Sequence, residues 1–203
     1  AAEYCEADHV TFMARQARGL VSLALTEERC EQLNLPPMVD PATSGAVKLS
    51  IEASTGIDTG ISAADRARTV RVAVAPDAKP SDLVQPGHIF PVATLTGGVL
   101  IRTGAAEAGV DLATLAGLTP AAVFAEVLDV NGDLANAAAL VDFADKHDLR
   151  VGRVTDLVDY RLNHYRTVDL IRSGTITTRH GDFMLSVYQE STQGHVHMAP
   201  SVG

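Results

Sequence analysis

The chain has 203 residues, 46% of them hydrophobic and 20% charged, enough for one core and a short appendage. Its formal net charge of -9, with no Lys/Arg run, argues against a nucleic-acid partner, because phosphate-backbone binding needs a concentrated basic face. A small anionic ligand held by a few local donors stays compatible with that charge. No stretch approaches the roughly eighteen apolar residues of a membrane span, and no leader is visible. Two cysteines, Cys5 and Cys30, make neither a disulfide scaffold nor a CxxC metal site, so a cytoplasmic protein is expected.

In chain order, Val10, Met13, Ala14 and Ala17 recur at helical spacing and predict an amphipathic helix over Ala7–Arg18, stopped by Gly19. Leu20–Leu25 alternates like a strand. Thr26 with Glu27 and Glu28 reads as a capped helix start, and the Asn34-Leu35-Pro36-Pro37 run ends that helix. Val47–Ala53 alternates strictly and predicts a strand. Ser62 to Asp65 fits a capping box, and Val70–Val74 reads as either a helix end or a strand. Prolines 76, 80, 86 and 91 predict an irregular stretch over 76–91.

Val99–Arg102 reads as a strand, Glu107–Ala116 as a helix, and Ala121–Leu128 as a buried strand running into the Asn131-Gly132 turn. Leu140, Phe143, Ala144 and His147 share one helix face. Arg150–Val154 predicts a short strand, and Thr155-Asp156-Leu157 the start of a last helix ending near His164. Strands and helices mix without βαβ repetition or a glycine-rich dinucleotide loop, which predicts an α+β fold of mixed sheet layers with flanking helices. Arg179–His197 looks hairpin-like, so a boundary is placed near 166, dividing the chain into 1–165 and 166–203.

Several residues carry chemistry. Thr59-Gly60-Ile61-Ser62 offers backbone N–H groups and hydroxyls at a helix start, either an anion site or simply a capped helix after a turn. His88, between Gly87 and an aromatic-proline segment, fits a proton shuttle or a loop histidine bonded to backbone. Arg102 suits bidentate phosphate binding or a surface ion pair. Glu126 interrupts an apolar strand, costly unless it is paired or faces water. Asp65-Arg66 reads as an ion pair at a helix start, with a substrate role as the other option. His195-Val196-His197 puts two imidazoles on one face of an extended chain, too few ligands for a metal on their own, and reads as a solvated strand.

Taken in order, Arg18-Gly19-Leu20, Leu25-Thr26-Glu27-Glu28-Arg29, Leu35-Pro36-Pro37-Met38-Val39, the Thr59–Ala67 run, Pro86-Gly87-His88-Ile89-Phe90-Pro91, Gly97-Gly98-Val99-Leu100, Val110-Asp111-Leu112-Ala113, Leu115-Ala116-Gly117-Leu118 and Asp156–Arg161 resemble the 3,4-dihydroxy-2-butanone 4-phosphate synthase family of riboflavin biosynthesis. The resemblance implies a magnesium-dependent lyase converting ribulose 5-phosphate to dihydroxybutanone phosphate and formate, working as a homodimer with sites at the subunit interface. His88 and Glu126 match its catalytic positions; Arg102, Thr59, Ser62 and Asp65 match its substrate or phosphate positions. Thr178–Phe183 and His197-Met198-Ala199 resemble the opening of GTP cyclohydrolase II, without that domain's zinc-binding cysteines.

The resemblance also implies departures. The family's acidic, metal-binding loop would precede Ala1. Its Gly-His-Thr-Glu-Ala reads Gly104-Ala105-Ala106-Glu107-Ala108 here, so methyl groups stand where the family has a metal-binding His and a phosphate-binding Thr. Asn136 replaces its usual Arg. No metal ligand is therefore assigned. A catalytically inactive or repurposed homologue that binds a sugar phosphate, or pairs with an active subunit, is the alternative expectation.

Overall fold

The computed structural model describes residues 1–39, 46–190 and 194–202. Ser22–Thr26 (β1) is the inner strand on which the fold is built. In the sheet order β2-β3-β1-β4, it lies parallel to Leu83–Thr94 (β3) and antiparallel to Ala121–Phe124 (β4), while Ile51–Ala53 (β2) closes the far edge antiparallel to β3. An inner strand covered on both faces needs an almost unbroken apolar run, and Ser22 through Leu25 are all buried.

The two faces differ in side-chain size. Leu23 and Leu25 join the main core with Val10, Ile51, Val70, Ala73 and Ile89. Val10 comes from helix Ala7–Phe12 (α1), and Val70 and Ala73 come from helix Ala63–Val74 (α3). Between these two helices in sequence, Glu27–Gln32 forms α2, with the Thr26 hydroxyl accepting from the Arg29 N–H at 3.1 Å. On the opposite face Ala24 and Ala122 meet Ala106 and Val110 of helix Ala105–Leu115 (α4). That helix lies close because its Gly109 has no side chain: a Cβ there would sit 2.8 Å from the Ala122 Cβ.

Several expected elements shift. The first helix tightens into α1 and then widens into a π-helical turn over Met13–Ala17, ending at Arg18 with φ 70°. Val70–Val74 is helix, not strand. The stretch over 76–91 is irregular only up to Lys79: after a short 3-10 turn at Pro80–Asp82, β3 runs on through Pro86 and Pro91. The ladder explains why both prolines fit. Glu52 pairs with Val84 and Ile51 with Ile89, so residues 85–88 bulge out and Pro86 needs no N–H there. At Pro91 it is the carbonyl that bonds laterally, accepting from the Lys48 N–H. The expected 47–53 strand shortens to β2, with Val47 and Lys48 in single bridges to Val92 and Pro37.

Val99–Arg102 is not a strand. Gly97 and Gly98, with φ 97° and 60°, turn the chain into a 3-10 turn, and the Asp111 carboxylate accepts the Val99 N–H that a neighbouring strand would have taken. β4 stops at Phe124, before Glu126. Asn136 caps the helix Ala137–Lys146 (α5) by accepting from the Ala139 N–H, a local reason for a short polar side chain there. Phe143 and His147 of α5 pack on Phe12. Residues 150–153 are exposed and join no strand among the described residues, and the last helix, Val154–His164 (α6), starts after Arg153 rather than at a Thr155 cap. Val168–Thr178 (β5), Gly181–Glu190 (β6) and Val196–Ser201 (β7) form a separate antiparallel sheet.

Leu23 is fully buried at the centre of the larger core. Leu23→Ala is expected to lower unfolding free energy by about 2–5 kcal/mol, read as a reduced urea midpoint with an unchanged slope.

Candidate functional site

The turn before α3 is organised by one carboxylate. Asp65 is 8% exposed and accepts the backbone N–H groups of Asp58 (3.4 Å), Thr59 (3.2 Å) and Gly60 (3.0 Å), with the Thr59 hydroxyl at 3.5 Å. Its own N–H donates to the Ser62 hydroxyl, capping the helix as the spacing predicts. Burial raises the Asp65 pKa, but hydrogen bonds from Ser62 and the Asp58, Gly60 and Thr59 amides outweigh it and hold the carboxyl below the usual range. The expected Asp65–Arg66 ion pair does not form among the described residues; Asp65 faces the turn instead. Two of the amides that suggested an open anion cradle, those of Thr59 and Gly60, are thus already engaged within the chain.

Gly60 (φ 75°) brings this turn against Glu52 of β2: a Cβ at Gly60 would lie 1.4 Å from Glu52 Oε1. Glu52 Oε1 is in turn 2.7 Å from His88 Nδ1. His88 stands in the β3 bulge, where the Gly87 N–H donates to the Ser50 hydroxyl and a Cβ at Gly87 would strike the Ile51 carbonyl. The Asp65-bound turn, through Gly60, and His88 therefore meet at Glu52, which was not singled out from sequence. The signal was available: a carboxylate inside an alternating strand beside two Gly-containing turns.

Arg102 lies elsewhere. Its guanidinium is ion-paired with Glu107, which is 1% exposed, and donates from Nη2 to the Ala93 carbonyl at 2.9 Å. Glu107 also accepts the Leu95 N–H, at 3.4 Å. Arg102 is therefore a part-buried partner of a buried acid rather than a surface cation. It lines a cavity of roughly 450 Å³ with Glu27, Lys48 and Leu95, which adds Lys48 to the candidate donors. Glu126 is exposed just beyond β4, where its backbone carbonyl accepts the Gly19 N–H at 3.1 Å; its carboxylate faces water, as the alternation argument allows. No hydrogen bond or ion pair among the described residues joins His88 to Arg102 or to Glu126.

The side chains do not fit a magnesium ion. Ala105, the first residue of α4, is exposed and offers only a methyl group; Ala106 is buried, and Glu107 is committed to Arg102. Among the described residues no three His, Cys, Asp or Glu side chains come together as a metal site. His195 pairs with Glu190 at 3.3 Å, and His197 sits on β7 opposite Tyr188. Both cysteines are buried, and burial pushes the Cys30 thiol up to about 11. Among the described residues no helix is long and apolar enough to cross a membrane.

A family model described as 3,4-dihydroxy-2-butanone 4-phosphate synthase matches residues 1–160. A protein of that name from Pseudomonas syringae pv. tomato is 50% identical over 206 residues, an alignment covering 100% of this chain and 56% of the relative. Among solved structures, a two-domain 3,4-dihydroxy-2-butanone 4-phosphate synthase from A. baumannii superposes with a TM-score of 0.88 at 47% identity, covering 100% of this chain and 61% of that one. Another synthase, solved in complex with two magnesium ions, gives a TM-score of 0.71 at 38% identity over 81% of this chain and 83% of its own. The chain spans a little over half the length of the curated relatives it matches.

The depressed Asp65 pKa sets a direction for acid stability. A carboxyl whose folded pKa lies below its unfolded value contributes stability that is complete above the unfolded pKa and lost as pH falls through the folded one. Urea unfolding between about pH 5 and pH 3 is expected to show a shallower loss of stability in Asp65→Asn than in the wild type. Equal slopes would mean that Asp65 gains nothing from the turn amides.

Proposed function

The chain belongs to the 3,4-dihydroxy-2-butanone 4-phosphate synthase family, and on that premise we propose that it converts ribulose 5-phosphate to 3,4-dihydroxy-2-butanone 4-phosphate and formate. The observation that carries this reading is the His88–Glu52 pair set against the Thr59–Ser62 turn, a general base held by a carboxylate beside hydroxyl donors. His88 takes a carbon-bound proton from the substrate. Thr59 and Ser62 bind its oxygens, and Asp65 serves the same contact by holding their turn rigid. Arg102, with Lys48 lining the same cavity, carries the phosphate. Glu126, open to solvent, is the second acid–base group.

Among the described residues no hydrogen bond or ion pair joins His88, Arg102 and Glu126, which supports a homodimer whose sites draw on both subunits. The protein is placed in the cytoplasm, without nucleic-acid or membrane partners. We place a unit boundary near residue 166: the family match ends at residue 160, and β5–β7 form their own sheet, proposed as the opening of a GTP cyclohydrolase II-like unit.

The second reading, an inactive or repurposed binder of sugar phosphates, rests on Ala105 and Ala106. Magnesium is the cofactor the family suggests, and its ligand set is incomplete in the residues described, so no step above runs through it.

Carbon-13 NMR of ribulose 5-phosphate with the protein and MgCl2 tests the reading. Formate above the enzyme-free control is expected, falling by about 10²–10⁴-fold in His88→Gln. Unchanged substrate sinks the lyase, and a thermal shift with the same compound then favours the binder. Ala105→His restores an imidazole at the start of α4 and is expected to raise magnesium-dependent formate release by at least about tenfold. An unchanged rate would show that this position does not limit the metal's contribution.

A further inference from the structure

Three features of different parts of the chain serve one side chain, Glu52. Gly60 supplies a left-handed turn with no Cβ, and any Cβ there would overlap the Glu52 carboxylate. Gly87 supplies a second vacancy: a Cβ there would lie 2.6 Å from Glu52 Cβ and 2.2 Å from the Ile51 carbonyl oxygen. The β3 bulge over residues 85–88 presents His88 on the same side, 2.7 Å from Glu52 Oε1. Glu52 is the more sheltered partner, its side chain 15% exposed against 42% for His88. The carboxylate is thus fixed by its surroundings, and the imidazole leans on it with one edge open to solvent.

We propose that Glu52 is the positioning residue that holds His88 as its Nδ1–H tautomer, with Nε2 turned outward as the proton acceptor. A carboxylate can only accept, so the proton of a neutral His88 ring must sit on Nδ1, leaving the Nε2 lone pair free. Glu52 itself touches no substrate in this account. It sets which ring nitrogen is basic and where that nitrogen points. The catalytic consequence rests on the lyase reading; the tautomer assignment does not.

The test labels the histidines with nitrogen-15 and reads the His88 ring by long-range nitrogen–proton correlation at about pH 8.5, well above the usual histidine range. In the wild type the neutral ring is expected as Nδ1–H; a ring found as Nε2–H overturns the proposal without any variant. In Glu52→Ala the ring is expected to revert to the Nε2–H form that an unpaired histidine side chain prefers in water. Formate release from ribulose 5-phosphate is expected to fall about 10- to 100-fold in kcat, with KM unchanged. Glu52→Gln, of the same size and still able to accept through its amide oxygen, is expected to keep Nδ1–H and recover part of the rate. A kcat in Glu52→Ala equal to that of an active wild type overturns the proposal, as does an unchanged tautomer. A wild type that releases no formate ends the lyase reading, while the tautomer comparison still decides the role of Glu52.

Discussion

The carboxylate of Asp65 gathers the N–H groups of three successive residues, and the candidate site is arranged around that contact. Without it, the Asp58–Gly60 turn would expose donors that have no strand or helix partner. With it, Gly60 is pinned in a left-handed conformation and pressed on Glu52, and Glu52 meets His88. The Asp65 carbonyl also accepts from the Thr69 hydroxyl, which itself accepts the Ala53 N–H of β2. One residue therefore ties α3, the turn and the edge strand into a single unit. A residue matched to substrate binding by position works, in this geometry, as the scaffold of the Asp58–Gly60 turn.

A second carboxylate plays the corresponding part at α4. Glu107 is buried almost completely, an expensive placement for a charge unless it is paired and hydrogen-bonded, and Arg102 and the Leu95 N–H meet that requirement. Asp111, one turn on, accepts the Val99 N–H and pairs with Arg161 at 2.8 Å, linking α4 to the Gly97-Gly98 turn and to α6. These buried acids specify loop shapes that apolar packing alone would leave undetermined. They also leave the Glu107 carboxylate with its charge already committed to Arg102.

Much of the fold was legible because hydrophobic spacing and capping residues act locally. Ser62 and Asp65 cap α3, Thr26 caps α2, and Leu23 and Leu25 against Ala24 mark the two faces of β1. The failures share a cause: the deciding partner lies far away in sequence. Prolines 86 and 91 suggested irregular chain, since nothing local shows that one falls in a bulge and the other bonds through its carbonyl. Val99–Arg102 looked like a strand because the acceptor that bends it, Asp111, sits on another element. At the site, the helix start at Ser62 could be read locally, whereas Glu52 showed in the sequence only as a carboxylate in an alternating strand, and its pairing with His88 joins elements far apart in the chain.

The Asp65-bound turn holds the Glu52–His88 pair in place through Gly60, although among the described residues no hydrogen bond or ion pair joins Asp65 to His88. The most direct measurement is nitrogen-15 NMR of the His88 ring in Asp65→Asn, recorded alongside the Thr59 and Gly60 amides. The amides are expected to shift, and the ring to lose its single Nδ1–H form, in the same variant. Amides that shift while the His88 ring keeps the wild-type tautomer would contradict it, and the turn and the base would then be separate devices.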